Sequence, residues 1–366
     1  MKEVYNSLIT TISTTYTNGK VIALRAVNSQ LLVTYWQIGQ HIVEFEQGGN
    51  AKATYGTALL ENLSKDLSVL HGKGFSLSNI KPFRQFYVTF PTFTTSIEIE
   101  NTTPLAIGAE VSHQLQSIEN KAVRISAKPS HQLSWSHYVE LLKINDPLER
   151  SFYEKQIIIE NWSIPELVRQ KKSSLYLRLA ASKDKEGILK LANTGQQIAT
   201  PNDILKDTYI FEFLKIAEPY HLSESDLEKK LITHLQQFLL ELGKGFAFIG
   251  RQYRITLGNR HHYVDLVFYH RILKCFVLID LKREEANYQD VGQMNMYLGY
   301  FENEENTDSD NPPIGIVLAK EKDELIIQYA MHNVSSQLFV QKYQLHLPNK
   351  EELRKVIEDQ LNNDNE

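Results

Sequence analysis

The chain has 366 residues, 42% of them hydrophobic and 23% charged, with a formal net charge of -5 and one cysteine, Cys275. That length allows two or three domains with real cores. A single cysteine excludes an intrachain disulfide framework or a cysteine-based zinc site, and no apolar run approaches the roughly 20 residues that span a bilayer.

The amino terminus, Met1-Lys2-Glu3-Val4-Tyr5, lacks the apolar core of a signal peptide, so a cytoplasmic protein with no membrane role is expected. Net negative charge alone argues against a nucleic-acid binder, but the charge is uneven. Residues 1–200 hold 21 basic and 17 acidic residues, and 201–366 hold 18 and 27. Within 244–283 the balance reverses: Lys244, Arg251, Arg254, Arg260, Arg271, Lys274, Lys282 and Arg283 face only Asp265 and Asp280. Such a surface suits a phosphate polymer; a solvated basic face is the plainer alternative.

In chain order, residues 3–47 read as a helix, with Leu24, Val27, Leu31, Leu32, Tyr35, Ile38 and Ile42 at three- and four-residue steps. Gly48-Gly49 stops it. A second helix runs from Tyr55 to Leu70, and a third starts after Gly74 with Ser76 or Ser78 as its cap. That third helix, Ser76 to Phe86, is a candidate recognition helix with only Lys81 and Arg84 basic. Residues 92–132 are rich in Thr, Ser, Asn and Gln and read as a linker or excursion. Helices resume at Trp135, with Asp146-Pro147 and Ser163-Ile164-Pro165 marking starts. From Ser223 the pattern is a helix (225–242), strands near 246–256, 262–269 and 275–281, a helix (286–301), and strands at 314–319, 324–329 and 337–343. This order predicts an α/β sandwich with a mixed sheet.

The chemistry concentrates in two of those strands. Asp265 lies inside Tyr263-Val264-Asp265-Leu266-Val267, and Asp280 near the end of Cys275-Phe276-Val277-Leu278-Ile279-Asp280-Leu281-Lys282. An acid in so apolar a strand is costly unless something pairs with it. Two carboxylates on neighbouring strands can hold Mg²⁺ or Mn²⁺, which keeps several waters and needs few protein ligands; the backbone carbonyl of Leu281 would add one more. Period-two alternation puts Lys282 on the face of Asp280, placed to orient or deprotonate a water or to stabilise developing charge. Glu228 is a third candidate acid, with Glu241 a weaker alternative. Ser225-Asp226-Leu227-Glu228 equally fits a capping box, in which the glutamate serves only the helix end. Gln293 and Tyr297, four apart on one helix face, are candidate substrate contacts. A zinc site from His261, His262 and His270 has no helical spacing to support it.

Taken together, Glu228, Asp265, Asp280-Leu281-Lys282 and Gln293-x-x-x-Tyr297 resemble the PD-(D/E)XK nuclease superfamily. The phrases Glu218-Pro219-Tyr220, Phe246-Ala247-Phe248-Ile249-Gly250-Arg251-Gln252 and Gly292-Gln293-Met294-Asn295-Met296-Tyr297 are similar to its YhcG-type family, as are Tyr35-Trp36-Gln37-Ile38-Gly39 and Gly74-Phe75-Ser76-x-x-Asn79 in the first half. Val264 stands where the superfamily's name has proline. The resemblance implies an all-α amino-terminal domain (1–91, continued in 133–200 after the polar 92–132), followed by a restriction-endonuclease-like αβββαβ domain with a mixed central sheet (205–350) and an acidic tail (351–366). It further implies a divalent-metal-dependent nuclease hydrolysing DNA, with RNA not excluded, acting in defence, recombination or repair. Asp265, Asp280, the Leu281 carbonyl and, through water, Glu228 would hold the metal. Lys282 would position the water, Gln293 and Tyr297 would touch substrate, and Arg251, Arg254 and Arg260 would steer the backbone. Homo-oligomers and a restriction or defence-system partner are compatible with it. The rival reading is the same fold used without catalysis, to bind nucleic acid or to assemble a partner.

Overall fold

A computed structural model of the chain describes residues 2–47, 58–93, 133–216, 223–332 and 337–362. Most of the polar stretch 92–132 and the Glu218-Pro219-Tyr220 phrase lie outside them. The chain divides into two compact units, one of Met1–Arg150 with Ile157–Ile164 and one of Ser151–Gln156 with Pro165–Glu366. None of the described helices is long and apolar enough to cross a membrane.

The first unit is helical: α1 (Lys2–Gln47), α2 (Leu59–His71), α3 (Leu77–Thr89) and α4 (Trp135–Leu141), with α5 (Pro147–Glu160) divided between the units. Its core joins Ile42, Ile80 and Phe83 to Tyr35, Ile38, Leu60, Leu63 and Trp135. Gly39 permits this: a Cβ there would stand 2.1 Å from the Phe83 carbonyl oxygen, so only glycine lets α1 and α3 cross this closely. Tyr35 stacks on Phe83 at 4.4 Å. The apolar stripe predicted along α1 is therefore buried only in part: Leu32 and Ile42 are covered, while Leu24, Val27 and Leu31 remain exposed. Ser76 occupies the cap of α3 but bonds the Ser78 hydroxyl at 2.9 Å instead of the helix backbone. In the candidate recognition helix, Arg84 is tied to Glu46 at 2.8 Å.

The second unit begins with α6 (Ile164–Lys172), α7 (Leu175–Ala180), α8 (Lys185–Thr194) and β1 (Thr208–Ile210). It continues with α9 (Glu224–Thr233), α10 (Leu235–Leu242), β2 (Phe246–Leu257), β3 (Arg260–His270), β4 (Cys275–Ala286) and α11 (Tyr288–Tyr300). It ends with β5 (Ile314–Lys322), α12 (Glu324–Ala330), β6 (Leu338–Gln344) and α13 (Lys350–Asn362). The six strands form one mixed sheet in the order β1-β6-β5-β4-β3-β2, antiparallel among β2, β3 and β4 and parallel elsewhere. Alternation decides what each face buries. Val277, Ile279 and Leu281 of β4 pack with Leu227, Leu231, Phe238 and Leu242 of α9 and α10. Leu278 packs on the opposite face with Val291, Met294 and Leu298 of α11.

Two expectations need correction, and the tail gains a structure the sequence did not assign. Residues 324–329, read as a strand, form helix α12, because Asp323 accepts hydrogen bonds from the N–H groups of Leu325 and Ile326 and starts a helical turn. The helix read as 225–242 is two helices meeting at His234, whose φ of -109° and ψ of 35° leave the helical range. Residues 350–362 of the acidic tail are helical, and Gln360 donates to the Ala181 carbonyl at 2.9 Å.

Residues 165–200 fall in the unit of the sheet, whereas the sequence reading joined 133–200 to the amino-terminal helices. A buried ion cluster gives the reason. Glu241, fully buried in α10, lies 2.8 Å from Arg178 of α7 and 2.7 Å from Arg169 of α6, and accepts the Ile210 N–H of β1 at 3.0 Å. Lys206 donates to the Glu241 backbone carbonyl. Glu241 is thus a structural centre, away from the acids discussed next.

Candidate active site

β3 and β4 run antiparallel with Leu266 opposite Ile279. That pair is the last of the ladder, and Asp265 and Asp280 are the next residues on the two strands. They lie close enough for the charge of Asp265 to act on the Asp280 carboxyl. Asp265 Oδ2 accepts the N–H of Leu281 at 2.8 Å, replacing the backbone bond that the diverging strands no longer make. Lys282, two residues past Asp280, places its ammonium 2.9 Å from Asp280 Oδ2 and 3.4 Å from Asp290 Oδ1.

Glu228 is buried on α9 and free of capping duty. The cap is Ser223, whose hydroxyl accepts the N–H of Asp226 at 3.1 Å, so the capping pair lies two residues upstream of the one predicted. Glu228 instead accepts from Gln252 Nε2 at 2.7 Å, and the same amide nitrogen donates to Asp265 Oδ1 at 3.0 Å. Gln252 therefore links the helix acid to the strand acid. Its φ of 47° is in the left-handed region, two residues past the register shift between Phe248 and Gly250, and a bulge of this kind re-aims side chains. Glu228 Oε1 makes no hydrogen bond and meets Arg251 Nε at 3.4 Å.

Electrostatics follow this crowding of acids. Burial, and after it the Asp265 charge, raise the Asp280 carboxyl to about 7 against the opposing pull of Lys282. Asp265 and Glu228 are also raised, each chiefly by burial. Burial would lower the Lys282 ammonium, but the charges of Asp280 and Asp290 outweigh it and hold the lysine above its usual range.

The remaining candidates are placed differently. Tyr297 is buried, its hydroxyl donating to the Tyr263 carbonyl at 3.0 Å, so it fastens α11 to β3. Gln293 donates to that hydroxyl and is half-buried. Arg254 and Arg260 are exposed on the β2–β3 hairpin, and Arg251 is divided between solvent and Glu228. His270 bonds the Lys244 carbonyl at 3.0 Å and the Leu273 N–H at 3.1 Å, a structural role.

Sequence reasoning missed Gln252 and Asp290. Asn287-x-x-Asp290 is a legible capping box, and both its bonds form; the second function of Asp290, as partner of Lys282, has no sequence signal. A cleft of about 650 Å³ opens beside this lysine, lined by Ser223, Glu224, Arg283, Asn287 and Asp290 among others.

Comparison with known proteins bears on what this arrangement is for. Residues 202–358 match the YhcG PDDEXK nuclease domain, and residues 11–178 match the DUF1016 N-terminal domain. A protein of Escherichia coli (strain K12) named "Putative nuclease YhcG" is 39% identical over 335 residues, covering 90% of this chain and 87% of its own length. The chain belongs to the YhcG family. Its second unit is a PDDEXK nuclease domain with a restriction-endonuclease-like fold. Among solved structures, a repair endonuclease from Pyrococcus abyssi is 24% identical with a TM-score of 0.26, over 36% of this chain and 50% of that one. An EndoMS-dsDNA2 complex is 16% identical with a TM-score of 0.26, over 37% and 51%. Each likeness spans about half of the solved chain, and neither carries an argument here.

The donor set of this YhcG-family site suits a divalent cation. Among the described residues no group of three or more His, Cys, Asp or Glu side chains is placed to hold a metal ion. What is present is an open-sided set: the neighbouring carboxylates of Asp265 and Asp280, the adjacent Leu281 carbonyl, and a buried Glu228 oxygen without a hydrogen bond. Mg²⁺ or Mn²⁺, which retain waters and take phosphate oxygens, match such a set better than zinc does.

Gln252 itself is testable. Gln252→Ala removes the only amide bridging Glu228 and Asp265 among the described residues. If Glu228 and Asp265 hold a metal, the variant is expected to lower nuclease activity about tenfold, as loss of a residue that orients a metal ligand does. Steady-state rates for this variant, with melting temperature as the control for folding, check it.

Proposed function

We propose that this protein is a divalent-metal-dependent nuclease that hydrolyses DNA phosphodiester bonds, with Asp265, Asp280 and Lys282 as its working group. The observation that carries the reading is the Asp280–Lys282 ion pair at 2.9 Å, with Asp265 bonded to the N–H of the intervening Leu281. It is supported by membership of a nuclease family. A bound Mg²⁺ or Mn²⁺ would supply Lewis-acid charge to the phosphate and a more acidic water. Asp265 and Asp280, with the Leu281 carbonyl and with Glu228 through water, would hold it. Lys282 keeps its proton, so it orients the attacking water by its lone pair and stabilises negative charge gathering on the phosphoryl oxygens. The water oxygen forms the new bond to phosphorus and gives up a proton to solvent, the P–O bond to one deoxyribose oxygen breaks, and that oxygen takes a proton from a second water. Gln293 would contact the substrate, while Tyr297 serves it by anchoring the helix that carries Gln293.

The test is incubation of the full chain with duplex DNA, single-stranded DNA and RNA of one sequence, in Mg²⁺, in Mn²⁺ and in chelator. DNA cleavage confined to the metal-containing reactions is expected. DNA retained at low salt, with no product under any metal, would favour the non-catalytic binding reading.

Arg254 and Arg260 give a separate expectation. If both neutralise phosphates, the double variant Arg254→Ala/Arg260→Ala should flatten the plot of log affinity against log salt by about 2, since each duplex phosphate contact contributes roughly 0.9. Filter binding in chelator at several salt concentrations measures it, and an unchanged slope would remove these two residues from the DNA path.

A further inference from the structure

Lys282 stands between two carboxylates from different elements. Asp280, on its own strand, is 2.9 Å from the ammonium, and Asp290, in the first turn of α11, is 3.4 Å away. Asp290 is only 7% exposed. Its two oxygens have separate tasks. Oδ2 accepts the Asn287 N–H at 2.9 Å and closes the capping box, while Oδ1 meets the lysine. The cap alone does not account for a buried carboxylate here. An uncharged glutamine closes the same kind of box, and burying a carboxylate is costly unless a charge pairs with it.

The segment that joins the two partners is held in place. β4 shifts register against β5 between Lys282 and Glu285, and such a bulge turns the strand. Ala286 is then buried with Val291 and Met294. Met294 seats against Gly315 of β5, where a Cβ would come within 2.6 Å of it. The first turn of α11, and Asp290 with it, is thereby fixed on the sheet behind Lys282. Glu224, which also lines the cleft, is exposed and accepts the Arg283 N–H at 3.2 Å.

We propose that Asp290 is a positioning residue for Lys282, directing the ammonium toward the reacting phosphate by its charge and not by its cap. This role rests on the nuclease reading, in which Asp280 also serves a divalent cation. A carboxylate whose charge is shared in that way attracts the ammonium less, and the cation repels it. Lys282 then needs an anion outside the metal-binding set. Asp290 is that anion among the described residues, since it is the second carboxylate in ion-pair contact with the lysine.

Asp290→Asn removes the charge and keeps an oxygen for the Asn287 N–H. It is expected to lower kcat for DNA cleavage in Mn²⁺ by at least about tenfold with KM unchanged. Asp290→Glu retains the charge and suits a capping box, so it should restore most of the rate. In a Lys282→Ala background Asp290→Asn should cost nothing further, because the group it positions is gone. Asn287→Ala weakens the cap but leaves the carboxylate; it should lower the melting temperature and leave kcat near wild type. A readout free of turnover is acetylation of Lys282 by an N-hydroxysuccinimide ester, followed by mass spectrometry with exposed Lys274 as the reference. Released from Asp290, Lys282 should react about tenfold faster in Mn²⁺, as for an amine whose pKa falls by one unit. If Asp290→Asn is recovered unfolded, Asp290→Gln carries the same expectations. An unchanged kcat, an unchanged acetylation rate, an equal loss in Asn287→Ala, or a full further loss in the Lys282→Ala background each overturns the proposal. A wild type that cleaves nothing in any metal removes the nuclease reading instead, and the acetylation rates then decide whether Asp290 holds Lys282.

Discussion

Replacing Asp280 by asparagine is expected to lower metal-dependent DNA cleavage by about a thousandfold or more, since a catalytic cation is worth several kcal/mol of transition-state stabilisation. Lys282→Ala should fall comparably, because it removes the only ammonium at 2.9 Å from that carboxylate. Calorimetry separates the two roles: Asp280→Asn loses Mn²⁺ uptake, while Lys282→Ala retains it. The stability of the cation-free protein gives an independent readout. Asp280 is held near 7 in the fold, above its unfolded value near 4, so the folded state binds its proton more tightly. Its contribution to stability is therefore greatest at low pH and declines as pH rises from about 4 to about 7. Above pH 7, where that contribution is gone, Asp280→Asn should leave the chain folded. In the wild type, cation uptake and cleavage should climb through pH 6 to 7 as Asp280 ionises, then level off. Cleavage by Asp280→Asn equal to wild type would remove the assignment, and a variant that is inactive because it is unfolded at pH 8 would contradict the electrostatics.

Glu241→Gln is expected to cost about 3–5 kcal/mol, the penalty for breaking a buried ion pair and leaving its partners without a counter-charge. Arg178 and Lys206 are almost fully buried beside it, and Arg169 is 14% exposed. Although burial works against its charge, these cations hold the Glu241 carboxyl down at about 2. The sign is opposite to that of Asp280. The stabilisation is complete above the ordinary glutamate value of about 4.5 and is lost as pH falls toward 2. Urea unfolding at pH 7 and acid unfolding monitored by circular dichroism check both parts. The variant should be less stable at neutral pH and should lose much of the wild type's steep decline between pH 4 and 2. An unchanged urea midpoint would show that the cluster is replaceable.

Sequence alone determined those features whose cause is local. Alternation in Cys275–Lys282 put Asp280 and Lys282 on one strand face, and a helical step of four put Gln293 beside Tyr297. Two apolar runs with one acid each pointed to the candidate site, because a strand of that composition disfavours an unpaired charge. The mixed sheet followed from the order of helices and strands.

Tertiary structure decided what depends on distant segments. The end of the β3–β4 ladder at Leu266 and Ile279 brought Asp265 to the N–H of Leu281, and Gln252, just past the register shift in β2, reaches Glu228 and Asp265; neither can be read from one strand, since register is set by packing across strands. Glu228 became an inward acid because the helix begins at Ser223, two residues before the predicted cap. Tyr297 turned out to be an anchor, and Glu241 the hub of an ion cluster, because their partners lie up to 72 residues away in sequence. Local propensity misread 324–329 for the converse reason: its apolar residues resemble a strand, but Asp323 caps a helix of which only Ile327 is buried.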